Sequence, residues 1–271
     1  MAELCRNKRW IWASWVVALA LGALLTPGAA RAVDIFEFQI YGSRTQGAGN
    51  FAPQFLTSLV AKGSGEAGAG IPEQNTFRTA VELEFGLTDK IDFAYYFNVA
   101  TDREGTQYTG SKFRLRGAFA EPGALPIDIG WYAEIEWWRP RFDDDRIEAE
   151  VMLTMQKNFG AWALVLNLPD IEKVIWGVSA RDVFELGWRA EARYRYSERV
   201  HFGLQTFGGL GAVNAIGPVQ QQTHYLVPVV HVAMARAIKA TFGIVFGMTQ
   251  ASDVVLLKTN LTFNSNDEDW D

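Results

Sequence analysis

An all-β fold, a transmembrane antiparallel up-and-down β-barrel of about 12 strands preceded by a cleaved signal peptide, is predicted by three observations. From residue 75 onward apolar and polar residues alternate with a period of two, a strand period rather than a helical one. Phe77, Thr79, Val81, Leu83 and Phe85 alternate with Arg78, Ala80, Glu82 and Glu84, and the odd positions stay apolar through Ile91, Phe93, Tyr95, Phe97, Phe113, Leu115, Ile129, Trp131, Ile135, Trp137, Val151 and Leu153. The opposite face is ionised: Asp92, Lys112, Arg114, Arg116, Asp128, Glu134, Glu136, Arg146, Glu148 and Glu150 share it. Many of the runs also reach the 9 to 11 or so residues that a tilted bilayer strand needs. A soluble sandwich alternates too, but it does not call for aromatic residues near strand ends. Here Phe77, Phe85, Phe97, Phe113, Phe119, Trp137, Trp162, Phe184, Tyr194 and Phe263 stand where interfacial girdles are expected.

The N-terminal residues point to export. Arg6, Lys8 and Arg9 precede an apolar run from Trp10 to Leu25, and Ala30 and Ala32 supply the small residues that a signal peptidase reads, so cleavage is expected after Ala32. The run is too short for an anchor, since a span needs about 20 residues. The expected organisation is a signal peptide over 1–32, an outer-membrane barrel over 33–263 and an acidic tail over 264–271. Removing 1–32 takes away four basic residues and one acidic one, leaving 21 basic against 30 acidic residues and a net charge near −9. That balance speaks against a nucleic-acid partner, which requires a basic surface. The one cysteine, Cys5, precedes the apolar run, so disulfides contribute nothing to the mature fold.

The elements follow from the turns. Residues 86–90, 121–126, 159–161, 197–199 and 236–239 read as short turns, whereas 100–110, 139–145, 169–182 and 208–222 read as longer connections rich in Gly, Asp and Asn. Short turns face the periplasm and long loops the outside in outer-membrane barrels. Eleven strands result, over 76–86, 91–99, 111–120, 127–138, 146–158, 162–168, 183–196, 199–207, 223–234, 239–248 and 253–263. The mature N-terminus is expected in the periplasm, so one further crossing is needed, which gives the even number expected of a bacterial barrel. Ile35–Tyr41 and Phe51–Lys62 compete for it. Pro53 suits a strand start and favours the second, which leaves the first as a periplasmic or barrel-lining extension.

Inside such a barrel, Lys112, Arg114, Arg116, Glu134, Glu136, Glu148, Glu150, Arg189, Arg193 and Arg195 are the candidate lumen or constriction residues. Hairpin arithmetic sets Lys112 opposite Glu136 and Arg114 opposite Glu134, pairs worth roughly 0.2 to 1 kcal/mol each. Glu148 and Glu150 fall beside Glu136 and Glu134. Four carboxylates together are unfavourable unless cations reach them, so Arg189, Arg193 and Arg195 are expected to extend over Ala163, Val165 and Asn167 toward them. The outcome is either a salt-bridge network that fills the barrel or a polarised constriction that orients a small polar solute.

The stretch from Asn75 to Lys90, the strand Gly110–Arg116 and the approach Gly47–Phe51 resemble an uncharacterised family of Gram-negative outer-membrane β-barrels, loosely similar to porins associated with phenol degradation. The resemblance implies a barrel in the outer membrane and names no substrate. The expected partners are outer-membrane lipid, the barrel-assembly machinery and small solutes. The expected role is a narrow, porin-like passage, with a closed barrel of structural or ligand-binding role, or a rim hydrolase or acyltransferase, as the alternatives. No catalytic residue, metal ligand or cofactor is assigned, and the chain is not expected to be an enzyme. Of the three histidines, only His224, near Asp182 and Asp253, has an address for acid/base work. Asp143-Asp144-Asp145 offers oxygen ligands for a divalent cation, but with no Gly-supported ligand spacing it reads rather as a solvated loop tip.

Overall fold

A computed structural model of the chain describes residues 33–64, 74–178 and 184–264. The signal peptide, residues 65–73, Asp182 and nearly all of the acidic tail therefore lie outside the described residues. Twelve strands form a single closed antiparallel barrel in which each strand pairs with its sequence neighbours and the first closes against the last. They are β1 (Phe51–Lys62), β2 (Phe77–Thr88), β3 (Ile91–Asp102), β4 (Gly105–Ala118), β5 (Asp128–Trp138), β6 (Asp145–Phe159), β7 (Trp162–Gly177), β8 (Glu185–Arg195), β9 (Val200–Ala212), β10 (Thr223–Ala235), β11 (Ile238–Gly247) and β12 (Val255–Phe263). Closure satisfies every edge: β12 pairs β1 from Leu59 with Leu257 to Gln54 with Thr262, so no row of backbone donors faces an apolar medium.

The alternation decides which way each side chain points. Phe55, Phe97, Phe113, Ile135, Leu164, Phe202, Leu204, Phe242 and Leu257 are exposed on the outside. Their sequence neighbours, among them Leu56, Asn98, Lys112, Arg114, Glu134, Val165 and Leu256, are buried within. This is the inside-out arrangement of a barrel that meets lipid.

Phe51–Lys62 forms the first strand. The rival segment lies inside the barrel, where Phe36, Glu37, Phe38 and Tyr41 are each at most 2% exposed. Contacts on opposite walls place it there: Tyr41 reaches Tyr96 of β3 and Asn167 of β7, while Phe38 packs edge-on against Phe207 of β9 and Tyr225 of β10. Taking the end with the β2–β3 turn as the lower one, this inner segment runs downward. Val33 packs with Val60, Tyr225 and Leu256 near the upper strand ends, and Gly49 donates to the Gly86 carbonyl at the lower end before β1 begins. Val33 is thus in the upper lumen and not at the expected periplasmic end, because the chain makes an additional crossing inside the barrel before β1.

Three connections differ from expectation. The 100–110 loop is a two-residue turn, since β3 and β4 pair to Asp102 and Gly105. β9 continues to Ala212, paired with Glu185. β7 continues to Gly177, through Pro169, which has no N–H to give the ladder. A register irregularity between Asn167 and Asp170 accommodates it.

Candidate functional site

Around the inner segment, most of the buried ionised groups lie on β2 to β8 and the larger apolar cluster on β9 to β12 and β1. On the apolar side Val60, Phe207, Tyr225, Val227, Val229, Val245 and Leu256 pack against Val33 and Phe38. Lys258 is embedded there. Its ammonium donates to the Phe38 carbonyl and, at 2.8 Å, to Gln205 Oε1.

Within the ionised side, cross-strand register sets Lys112 opposite Glu136 and Arg114 opposite Glu134, and Glu134 and Glu136 opposite Glu150 and Glu148. Side-chain partners follow the register only in part. Lys112 Nζ lies 3.2 Å from Glu136 and 3.3 Å from Glu134, and it also reaches Glu37 at 3.1 Å and Asp34 from the inner segment. Arg114 turns away from Glu134. It reaches across β3 above Ala94, its register partner, to Glu82 at 2.7 Å, Glu84 at 2.5 Å and Asp92 at 3.3 Å, and it donates to the Tyr96 hydroxyl. Arg116 joins the same group through Glu84 at 2.9 Å and Asp92 at 2.8 Å. Tyr41 of the inner segment lies under both guanidiniums, with ring distances of 5.2 and 5.7 Å.

Of the three arginines expected to reach the carboxylates, Arg189 does so, binding Glu150 and, at 3.0 Å, Asp170. Arg193 and Arg195 do not share in that contact. They stand at the lower mouth, where Arg193 pairs Ala163 and Arg195 pairs His201, and with Asn158, Gly160 and Trp162 they line a recess. Asp170 and Glu172 were missed by sequence reasoning because Pro169 suggested the end of the strand. Past the irregularity the inward set changes from odd to even numbers, so both carboxylates enter the wall beside Glu150, with Glu172 as its direct partner. Glu82 and Glu84 were visible as the polar partners of an apolar alternation, but nothing in the sequence said that Arg114 would choose them. The aspartate run is also not a simple loop tip: Asp145 begins β6 and is 5% exposed.

The histidines are each engaged. His231 Nε2 lies 2.7 Å from Glu191 and its Nδ1 2.9 Å from Thr241, in the lumen, while His201 is buried on β9. His224 Nε2 meets Gln222 Oε1 at 2.9 Å. Asp253, the expected neighbour of His224, instead accepts from Arg78 at 3.0 Å and from the Ser64 backbone.

No family model matches the chain, and no curated protein matches it. Solved structures do. An outer membrane channel from Pseudomonas putida F1 aligns with a TM-score of 0.55 at 11% identity, covering 82% of this chain and 97% of the other. The NanC porin aligns with a TM-score of 0.52 at 8% identity, covering 79% and 98%. The fold is porin-like. At such identities the likeness concerns the fold alone, and the luminal chemistry has to be read from this chain's own residues.

Proposed function

We propose that the chain is an outer-membrane, porin-like passage for small polar solutes, whose bore is set by the inner segment 33–50. Size supports this. About eight strands enclose a space that side chains fill, and sixteen or more leave an aqueous channel; twelve leave an intermediate space, and here the inner segment takes it up. The observation that carries the reading is how that segment is held. It joins no strand ladder over its length between Val33 and Tyr41 and is fixed by side chains from opposite walls: Asn167 caps both backbone groups of Tyr41, at 2.9 and 2.7 Å, Ser58 donates to the Ile35 carbonyl, and Lys112 and Lys258 hold its two flanks. A wall closed by its own twelve ladders does not need this segment in order to be a barrel.

The apolar outer face suits outer-membrane lipid, and an exported barrel of this form would be inserted by the barrel-assembly machinery. Ions crossing it would pass between the Lys112 and Arg114 clusters and leave by the lower recess at Arg193 and Arg195. Planar-bilayer recording tests the reading. Folded wild-type protein is expected to give a small conductance, Asn167→Ala a larger and noisier one, and Arg193→Glu a shift of ion selectivity toward cations. Silence from both the wild type and Asn167→Ala would instead favour a sealed barrel with a structural or binding role, the reading that draws on the complete burial of Arg114.

A further inference from the structure

The upper lumen between β5, β6 and β7 holds more carboxyl groups than cations. Asp34, Glu37, Glu134 and Glu136 all converge on the single ammonium of Lys112, and Glu150 and Asp170 share Arg189. Glu148 and Glu172 stand beside them. Among the described residues, no lysine, arginine or histidine makes an ion pair with either, and no donor outside the acidic group reaches Glu148, although it is only 7% exposed. A carboxylate in that position needs a counter-charge or a proton, because desolvation without compensation is costly.

The geometry supplies a place for a counter-charge. Carboxylate oxygens of Glu136, Glu148 and Glu172 all lie within 4.8 Å of one another, and oxygens bound to one Ca²⁺ at about 2.4 Å can be no farther apart than about 4.8 Å. The three come from adjacent strands whose ladder fixes them, Glu136 being the direct partner of Glu148, so backbone register prevents them from separating to relieve repulsion. A second set, Asp143, Asp145 and Glu148, meets the same spacing and shares Glu148, extending the oxygen-rich surface to the upper rim. Both sets contain oxygen donors only, which selects hard cations over thiolate- or imidazole-seeking ones.

We propose that Glu136, Glu148 and Glu172 form a divalent-cation site of the calcium class in the upper lumen, centred on Glu148. The ion completes the charge balance of the wall, and the site does not depend on whether the barrel conducts.

Terbium luminescence on the full-length folded protein in detergent tests this, since Trp138 follows Glu136 by two residues on the same face of β5 and Trp176 pairs with Ile147 next to Glu148, close enough to sensitise a bound lanthanide. The expected result is saturable emission that Ca²⁺ displaces, with affinity falling at least about tenfold in Glu148→Gln, as disturbing even outer ligands does. Ca²⁺ should also raise the thermal midpoint of the wild type and leave that of Glu148→Gln unmoved, with heat-modifiable gel migration verifying that both are folded. Saturable emission of wild-type strength from Glu148→Gln would place the lanthanide elsewhere and overturn the site. So would a wild-type midpoint indifferent to Ca²⁺, with Glu148→Gln simply more stable in chelator, which is the signature of carboxyl groups that share protons.

Discussion

Arg114 faces Glu134 across the β4–β5 ladder yet bonds to Glu82, Glu84 and Asp92, and the reason is local competition. Lys112 and the Tyr132 hydroxyl already occupy Glu134, the latter at 2.8 Å, while Ala94 leaves a gap through which a long side chain can cross β3. A planar guanidinium with five donors can serve several carboxylates at once, which an ammonium of similar reach does with less directional order. Removing it therefore does more than delete a pair. Arg114→Met is expected to leave Glu82, which is wholly buried, without its cation, and to cost about 3–5 kcal/mol, the range for breaking one side of a buried ion pair. Urea unfolding in detergent measures this, and a loss below that of an exposed pair, about 1 kcal/mol, would mean that Arg116 alone suffices for the cluster. Asn167→Ala acts on a different scale of energy. It removes an amide that both donates to and accepts from the Tyr41 backbone, so a destabilisation of about 1–3 kcal/mol is expected, together with the conductance change described above.

Among the elements, those whose apolar phase runs without interruption were legible in the sequence. The β4–β5 register could be derived residue by residue because the alternation through Lys112, Arg114, Glu134 and Glu136 never slips. The upper half of β7 could not, because Pro169 removes a ladder donor, the ladder is irregular there, and the inward positions change parity; Asp170 and Glu172 then look like loop residues. The inner segment was only half legible. Phe36, Phe38 and Tyr41 announce burial, but what they bury against depends on the closed wall, and Phe38 takes a φ of +42° that no pattern foretells. That left-handed backbone is costly for an aromatic residue, and it accompanies a carbonyl turned to Lys258. The place where the inner segment leaves the lumen gives the sharpest test at this scale. A Cβ on Gly86 would lie 1.6 Å from the Gly47 carbonyl oxygen, and that backbone cannot yield without breaking the Gly49-to-Gly86 and Gly86-to-Asn50 hydrogen bonds, both 2.9 Å. Gly86→Ala is expected to destabilise by at least about 1–3 kcal/mol, as overpacking does, and to loosen the inner segment. Limited proteolysis near residues 44–50, read alongside the thermal midpoint, checks it; unchanged cleavage would show that the chain finds another route under β2.

For the whole molecule the question is whether wall and inner segment are one cooperative unit or two. All twelve strand pairings, including β1 with β12, are made within the wall, and backbone pairing of that kind is what a lipid-facing barrel cannot forgo. The inner segment adds packing and hydrogen bonds on both sides of the lumen, and it supplies Asp34 and Glu37 to Lys112. A variant that keeps residues 1–32 and β1 but replaces 34–46 with a Gly/Ser tract should therefore still close. It is expected to retain heat-modifiable migration, to melt at a lower temperature because Phe36, Phe38 and Tyr41 no longer fill the lumen, and to carry a larger current through a wider bore. The two measurements answer separately: lost migration would mean that the inner segment is needed to assemble the wall, whereas a folded variant with no gain in current would mean that wall side chains close the lumen unaided. The second result would tell most about the fold, since Arg114, Lys112 and Arg189 would then span a space that the strand number alone leaves open.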